Sequence, residues 1–449
     1  MSTTSTSDTQ LAADLEELAA ADKWEFRSWS AREYTHGLFQ YPAMMVPQMQ
    51  RELLERLREE NDGTSVYDPF VGSGTALAEA MMLGLDFVGV DINPLAVLLC
   101  KTKAGPFYTE ALERASERIL DAARSDTSRV IELEWEGWKK WFRSDVAVAL
   151  SRLRRAIRAE PLLSNRRFLW VALAETVRLT SNSRTSTVKL HIRPQEEREN
   201  RKIDVVETFD EILEENLERF KDQRDALDEA GLLDRGRYTG KVAIHLHDVS
   251  STVRPADFVG LCSILLTSPP YGDNITTVPY GQHAFLPLQW IDFEDIDPAA
   301  DDSFLASTHA IDAKSLGAPR TGAIEQVEVL RALSPVLDEI LTTLASQPRD
   351  RAQRVAAFWR DMNTSIESIL PSMEVEGLMG WTVGNRSVGG SEIPMDAILR
   401  ELLEHRNCTF VTKLDRVIPN CRKRMAPRNS VASTMNREQV LVMRAPSTL

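Results

Sequence analysis

Residues 65–75 read Ser-Val-Tyr-Asp-Pro-Phe-Val-Gly-Ser-Gly-Thr, and residues 86–94 continue Asp-Phe-Val-Gly-Val-Asp-Ile-Asn-Pro. Between them lies an apolar helical stretch, Ala76 to Leu83, closed by Gly84. This pattern is strand, glycine turn, helix, strand, acid. Gly72 and Gly74 let the turn approach a ligand closely, and the helix N-terminus behind it offers unpaired N–H groups. Asp91 follows Asp68 by 23 positions. That suits an acid at the tip of the second strand, placed to bond ribose hydroxyls. The turn departs from the Gly-x-Gly-x-x-Gly form used for dinucleotides. Asp68 at the strand end would repel a pyrophosphate and attract an ammonium. A ligand with a ribose, an amino group and no phosphate fits, and S-adenosylmethionine (SAM) has this make-up.

A second stretch carries the chemistry. Residues 267–274 read Thr-Ser-Pro-Pro-Tyr-Gly-Asp-Asn, directly after the apolar run 263–266. Two prolines fix the backbone and remove two N–H donors. Carbonyl oxygens and the Ser268 hydroxyl are left as acceptors, and Tyr271 supplies a flat face. An exocyclic amino group on a nucleobase needs this combination. A surface Pro-Pro turn is the plain alternative, opposed by the apolar strand before it and the glycine turn upstream.

With both stretches in place, the chain resembles the amino-methylating DNA methyltransferases, which act on cytosine N4 or adenine N6. The resemblance rests on Asp-Pro-Phe-x-Gly-Ser-Gly-Thr at 68–75, Val-Asp-Ile-Asn-Pro at 90–94, Thr-Ser-Pro-Pro-Tyr at 267–271 and the Tyr41-Pro42 segment. It covers roughly 35–105 and 240–445. It implies a Rossmann-like α/β methyltransferase fold, a mostly parallel sheet with an antiparallel final strand, carrying a helical insertion. It implies SAM as methyl donor, held by Asp68, Phe70, Gly72, Gly74, Thr75, Asp91, Ile92, Asp248 and Thr267. Catalysis falls to Ser268, Pro269, Pro270 and Tyr271, on a base flipped out of the duplex. A serine before Pro-Pro-Tyr goes, in that family, with cytosine N4, and an acid or asparagine with adenine N6. Ser268 thus favours cytosine, with adenine N6 on DNA or RNA as the competing reading. A SAM- and DNA-binding component of a defence complex without turnover is a third. The partners implied are double-stranded DNA and a cognate restriction endonuclease or defence-system proteins.

At 449 residues the chain has room for two to three domains, or one catalytic domain with insertions. A composition of 43% hydrophobic and 27% charged residues is that of a globular protein. No apolar run approaches the ~20 residues of a membrane span. The N-terminal Met-Ser-Thr-Thr-Ser-Thr-Ser-Asp has no basic region or apolar core, so cytoplasmic residence is expected. The four cysteines form no CxxC pair, so no metal is expected, and no Pro-Cys pair suggests the thiolate of C5-cytosine chemistry.

Net charge is −14, but its distribution matters more. Residues 405–430 carry seven Arg or Lys against the single acid Asp415, while 292–302 carry six acids and no base. One face meeting phosphates and another staying in solvent would explain this polarity. Arg416, Arg422, Lys423 and Arg424 are the DNA-backbone candidates in the basic stretch. Arg184 and Lys189, in the polar loop near Ser181–Ser186 with Arg178 and Arg193, are further candidates, a solvated loop being the plain alternative.

The chain divides into a disordered 1–12, N-terminal helices and the SAM half at 13–104, a helical insertion at 105–238, and a catalytic half at 239–449 with a loop-rich 272–350. Target recognition falls to 105–238, 275–350 or both. Asp248 either bonds the SAM adenine amino group or caps a loop with Ser250 and Ser251. His245 and His247 read as structural. Asp273 and Asn274 either contact the base or shape the turn. By the resemblance, His36 and Tyr41-Pro42 pack beside the methionine end of SAM, core packing alone being the plain alternative. Trp135, Trp138, Trp141 and Phe142 read as core.

Overall fold

The structure, a computed structural model, describes residues 6–20, 24, 26, 30, 32–133, 135–251, 261–274, 276–418 and 437–448. Seven strands form its main sheet: β1 (Ser65–Asp68), β2 (Asp86–Asp91), β3 (Val242–Leu246), β4 (Cys262–Thr267), β5 (Met373–Val383), β6 (Thr409–Val417) and β7 (Arg437–Arg444). Their order is β3-β2-β1-β4-β5-β7-β6. The pairings β1–β2, β1–β4, β2–β3 and β4–β5 are parallel, and β7 runs antiparallel to both β5 and β6. The expected mostly parallel sheet with an antiparallel final strand is therefore present.

Central parallel strands are covered on both faces, so they read as continuous apolar runs. β4, Cys-Ser-Ile-Leu-Leu-Thr, is buried at every residue. Alternate residues serve opposite layers: Val66, Phe87, Ile264 and Leu378 face one core, and Tyr67, Val88, Leu265 and Met379 the other. Strand order reverses between β1 and β4. In open α/β sheets a crevice forms beyond the carboxyl ends of the strands at such a reversal.

Of the helices, α1 (Thr6–Ala19), α2 (Pro47–Asn61), α3 (Thr75–Met82) and α4 (Pro94–Lys103) precede the insertion, whose long helices are α5 (Thr109–Ser125), α6 (Ser144–Arg158), α7 (Leu163–Thr180) and α8 (Val205–Glu229). After β4 come α9 (Tyr280–Leu288), α10 (Pro335–Ala345) and α11 (Arg349–Ile369), and α12 (Met395–Glu404) precedes β6. The helix beginning at Thr6 corrects the expectation of disorder through residue 12. Its Asp8 is buried and takes two hydrogen bonds from Arg444 of β7, at 2.6 and 2.8 Å.

The insertion does not stand apart from the sheet layers. Phe220 of α8 stacks on Phe107 at 4.7 Å and meets Phe168 of α7 at 5.2 Å, inside the core that also holds α2, α3 and α4. Trp141 and Phe142 are buried, and Phe142 packs edge-on against Trp290 at 5.4 Å, as their core reading expects. The expectation of a solvent-facing acidic run at 292–302 is corrected in part. Asp292 pairs with Arg154 and Arg158 of α6, Asp295 with Arg166 of α7, and Asp297 with Lys101 of α4. Asp292 and Asp295 thus fasten the insertion to the segment after β4 and Asp297 ties that segment to α4, while Glu294, Asp301 and Asp302 are exposed as expected. Among the described residues no helix is long and apolar enough to cross a membrane.

Candidate active site

The reversal between β1 and β4 opens into a crevice of about 840 Å³, counting its open mouth. Its walls come from the segment around Tyr41, the glycine turn, the tips of β2 and β3, the Pro-Pro turn, and a stretch from Tyr280 to Leu316.

The glycine turn is held from both sides. Gly72 and Gly74 take φ of +48° and +74°. Such values are costly for residues with a Cβ. A Cβ on Gly74 would come 2.9 Å from the buried Cys100 Sγ. Gly74 also stands at the N-cap of α3. Asp91 accepts from Gly72 N through Oδ2 and from Asn93 N through Oδ1, both at 2.8 Å. It thus organises the turn and the entry to α4 at once. Asn93 Oδ1 caps α4 at Leu95 N, and its Nδ2 donates to Tyr41 Oη at 3.2 Å. Burial pushes the Asp91 carboxyl up to about 6.

Asp68 is fully buried at the end of β1. Its Oδ1 accepts from Thr267 Oγ1 at 2.6 Å and from Phe70 N at 3.1 Å, while Oδ2 is buried with no hydrogen-bond partner. Burial raises its pKa to about 7. Asp68 does not itself line the crevice, but an orphaned carboxylate oxygen just beneath its wall is a disposition a nearby cation would relieve. Pro69 and Phe70 line the crevice above it.

Of the other expected ligand contacts, Phe70, Gly72, Thr75, Asp91, Ile92 and Asp248 line the crevice. Gly74 and Thr267 stand behind the wall, Gly74 against Cys100 and Thr267 against Asp68. Asp248 Oδ1 accepts from Ser250 N and Oγ at 2.9 and 2.7 Å, so the cap and the wall position coexist. His247, read as structural, lines the crevice too. His36 does not. It is buried against Glu79, Nε2 to Oε1 at 2.8 Å, with Arg51 Nε on the other oxygen at 2.6 Å. Burial lowers its pKa. Of its two readings the ligand contact is corrected and core packing is the one it takes, as a support beneath α3.

At the Pro-Pro turn, Ser268 and Pro270 line the crevice and Pro269 is buried. Ser268 Oγ donates to Tyr271 Oη at 3.3 Å, and Tyr271 Oη donates to Glu438 Oε1 at 3.4 Å. Glu438 is in turn gripped by Arg416 Nη1, and Arg416 Nε donates to the Trp24 carbonyl at 2.9 Å. Arg416 is 4% exposed. Its expected place among the DNA-backbone contacts is therefore corrected: burial removes it from solvent, and its partners join it to the turn. Arg422, Lys423 and Arg424 lie outside the described residues. Arg184 and Lys189 are exposed on their loop, whereas Arg193 is spent on the Ser183 carbonyl and Glu197.

Some site residues carry no signal in the sequence. Tyr280 lies near-parallel to Tyr41, centroids 5.7 Å apart, and Lys314, Ser315 and Leu316 complete the wall. Asn274 Nδ2 donates to Ser315 Oγ at 2.9 Å, which leaves its buried Oδ1 without a partner on the crevice wall. Only the Pro-Pro-Tyr context pointed at Asn274. The stretch from Tyr280 to Leu316 has no periodicity that would mark it.

A sheet of this order with an acid-tipped β1, a glycine turn and an acid at the tip of β2 defines the Rossmann-like methyltransferase fold. A family model described as DNA methylase, of the N6/N4 type, matches residues 6–101. The type II methyltransferase M.MvaI of Kocuria varians is 31% identical over 428 residues, spanning 92% of this chain and 90% of its own. The chain belongs to the type II DNA methyltransferases of the amino-methylating N6/N4 family. Shorter matches join it to M.MjaII of Methanocaldococcus jannaschii, 32% identical over 92 residues (20% of this chain, 17% of that one), and M.BsoBI of Geobacillus stearothermophilus, 37% over 75 residues (16% and 15%). The rRNA methyltransferase AviRa of Streptomyces viridochromogenes aligns over 91% of this chain and 87% of its own at 12% identity, with a TM-score of 0.33, too low to bear on the substrate.

Proposed function

We propose that this enzyme transfers a methyl group from SAM to N4 of a cytosine flipped out of duplex DNA at a specific sequence. The observation that carries the reading is Ser268 on the crevice wall, at the end of the buried strand β4 and beside the glycine turn. Its hydroxyl is an acceptor for an amine.

The residues present suit SAM. Asp91 offers carboxylate oxygens to ribose hydroxyls, Ile92 an apolar edge to adenine, and Asp248 an acceptor to its amino group. Asp68 supplies negative charge from beneath the wall for the ammonium, and Gly72, Gly74 and Thr75 set the backbone at the start of α3. When bound, SAM supplies an electrophilic methyl on its sulfonium.

On the base side, Ser268 Oγ and the Pro269 carbonyl accept the two amine hydrogens. This turns the amine lone pair out of conjugation and toward the methyl. Tyr271 lies against the base, its ring held through Glu438 by Arg416. The nitrogen forms its bond as the carbon–sulfur bond breaks, and the surplus proton leaves to solvent. Positioning and charge placement supply most of the rate. Arg184 and Lys189 are proposed to meet the DNA backbone.

The test is transfer of labelled methyl from SAM to duplex DNA and, separately, to RNA. Wild type labels DNA. Ser268→Ala and Tyr271→Ala lose the label and keep SAM binding. Label confined to RNA would overturn the substrate.

A further inference from the structure

Asp273 lies two residues past Tyr271 and is 2% exposed. Three arginines from three separate segments face it: Arg320 Nη2 at 2.9 Å, Arg386 Nη1 at 3.3 Å and Arg354 Nε at 3.8 Å. Thr276 completes its shell, Oγ1 donating to Oδ2 at 2.7 Å. Arg386 belongs to a small hairpin, Arg386–Val388 with Ser391–Ile393. Its guanidinium lies directly on the backbone of the substrate turn, since a Cβ on Gly272 would fall 2.1 Å from Nη1. Arg354, on α11, also reaches the exposed Asp350 through Nη2 at 3.1 Å. Arg351 sits one helical turn earlier, against Gly389 of the same hairpin, with Nη1 bonded to Gln347 Oε1 at 2.7 Å.

Three guanidiniums thus gather around two carboxylates, one buried and one exposed, with Arg351 close by on the same helix. A buried aspartate is served by one well-placed arginine, and crowding further cations about it adds mutual repulsion. Burial, with repulsion from Arg354 and Arg320, already lowers the pKa of Arg386 against the pull of Asp273. In a chain of net charge −14 this local surplus is unusual. An incoming anion would balance it. The described bonds to Asp273 engage one terminal nitrogen each of Arg320 and Arg386, whose side chains are 31% and 13% exposed. Their remaining N–H groups form forks that match phosphate oxygens in pairs.

SAM has no phosphate. In a nucleic acid, the anions that accompany a base to its pocket are the phosphates on either side of its sugar. We propose that Arg320, Arg354 and Arg386, held together by Asp273, bind the backbone phosphate flanking the target nucleotide. The inference rests on residues 267–271 being the base site. Through Gly272 the phosphate contact bears directly on the turn that orients the amine acceptors, so Asp273 is a positioning residue.

The test uses the full-length enzyme, labelled SAM and bulk unmodified genomic DNA, with KM for DNA followed across NaCl concentrations. Arg320→Gln and Arg386→Gln each raise KM for DNA and flatten its log–log salt dependence by about one unit. Their SAM affinity stays at the wild-type value, and Arg320→Lys, which keeps the charge, restores the slope. Arg320 is the more exposed, so Arg320→Gln decides the matter if Arg386→Gln fails to fold. An unchanged slope in a variant that binds SAM and methylates DNA overturns the phosphate site alone. A wild-type protein that puts no methyl group on DNA overturns the base-site reading first, and this inference with it.

Discussion

Thr267 Oγ1 donates to Asp68 Oδ1 at 2.6 Å, across 199 positions of sequence and between two adjacent strands. Thr267 ends β4 immediately before the Pro-Pro turn, and Asp68 ends β1 immediately before the glycine turn. One buried hydrogen bond therefore fixes the glycine-turn side of the crevice, proposed to hold the methyl donor, against the Pro-Pro side, proposed to hold the base. In-line transfer depends on that register.

Asp68 should make the protein respond to pH in opposite ways with and without ligand. Its carboxyl, ordinarily near 3.8, is raised to about 7 by burial. The protonated form is thus favoured in the folded protein. That contribution to stability is full below the ordinary value and is lost as pH rises through about 7. The ligand-free enzyme should lose Tm between pH 5 and 7.5, and SAM affinity should rise over the same range as the carboxylate forms. Asp68→Asn should weaken both trends and leave the smaller components of Asp91 and Asp312, each raised by burial to about 6. Thermal melts with and without SAM check this, and a parallel pH profile in wild type and Asp68→Asn would contradict it.

At the base side, Ser268→Ala should cost roughly 10²–10³ in kcat, the scale for losing one group that contacts a developing charge. Tyr271→Phe keeps the ring and loses only the hydroxyl bonds to Ser268 and Glu438. It should cost no more than about tenfold. Tyr271→Ala should lose the stacking worth about 1–3 kcal/mol. Single-turnover rates at saturating SAM separate the three, and equal losses for Phe and Ala would refute the stacking role.

Arg416→Ala should act through stability and through the turn. Removing one partner of a buried pair costs about 3–5 kcal/mol. The unpaired Glu438 should then let Tyr271 move and lower kcat. The salt dependence of DNA binding should stay at its wild-type slope. A slope reduced by about one unit would return Arg416 to the DNA surface.

Gly74→Ala places a Cβ at φ +74° and 2.9 Å from Cys100 Sγ. The strained backbone should cost about 1–3 kcal/mol, and SAM affinity should fall because the start of α3 shifts. Chemical denaturation and SAM titration measure both. Unchanged values in both would mean that the turn does not need glycine here.

The parts of this fold legible in the sequence are those encoded by contiguous residues. β1, the glycine turn, α3 and β2 follow one another within thirty positions, and β4 is an apolar run ending in a turn that states its chemistry. What stayed hidden depends on partners far apart in the chain. Asp292 and Asp295 look like part of a solvated face until α6 and α7 bring Arg154, Arg158 and Arg166 to them. Arg416 looks like part of a basic surface run until β6 and β7 pair and put Glu438 beside it. His36 has the right neighbours in sequence to reach the ligand, but Glu79 on α3 holds it beneath the helix. Tyr280, Lys314 and Leu316 join the crevice from a segment without periodicity, and only the folded chain reveals them.

The central claim is tested most directly by mass spectrometry of nucleosides from duplex DNA incubated with the enzyme and labelled SAM, beside Ser268→Ala. The expected result is label on N4-methylcytosine, lost in the variant. Label on N6-methyladenine would contradict the base assignment and leave the fold and transfer chemistry standing.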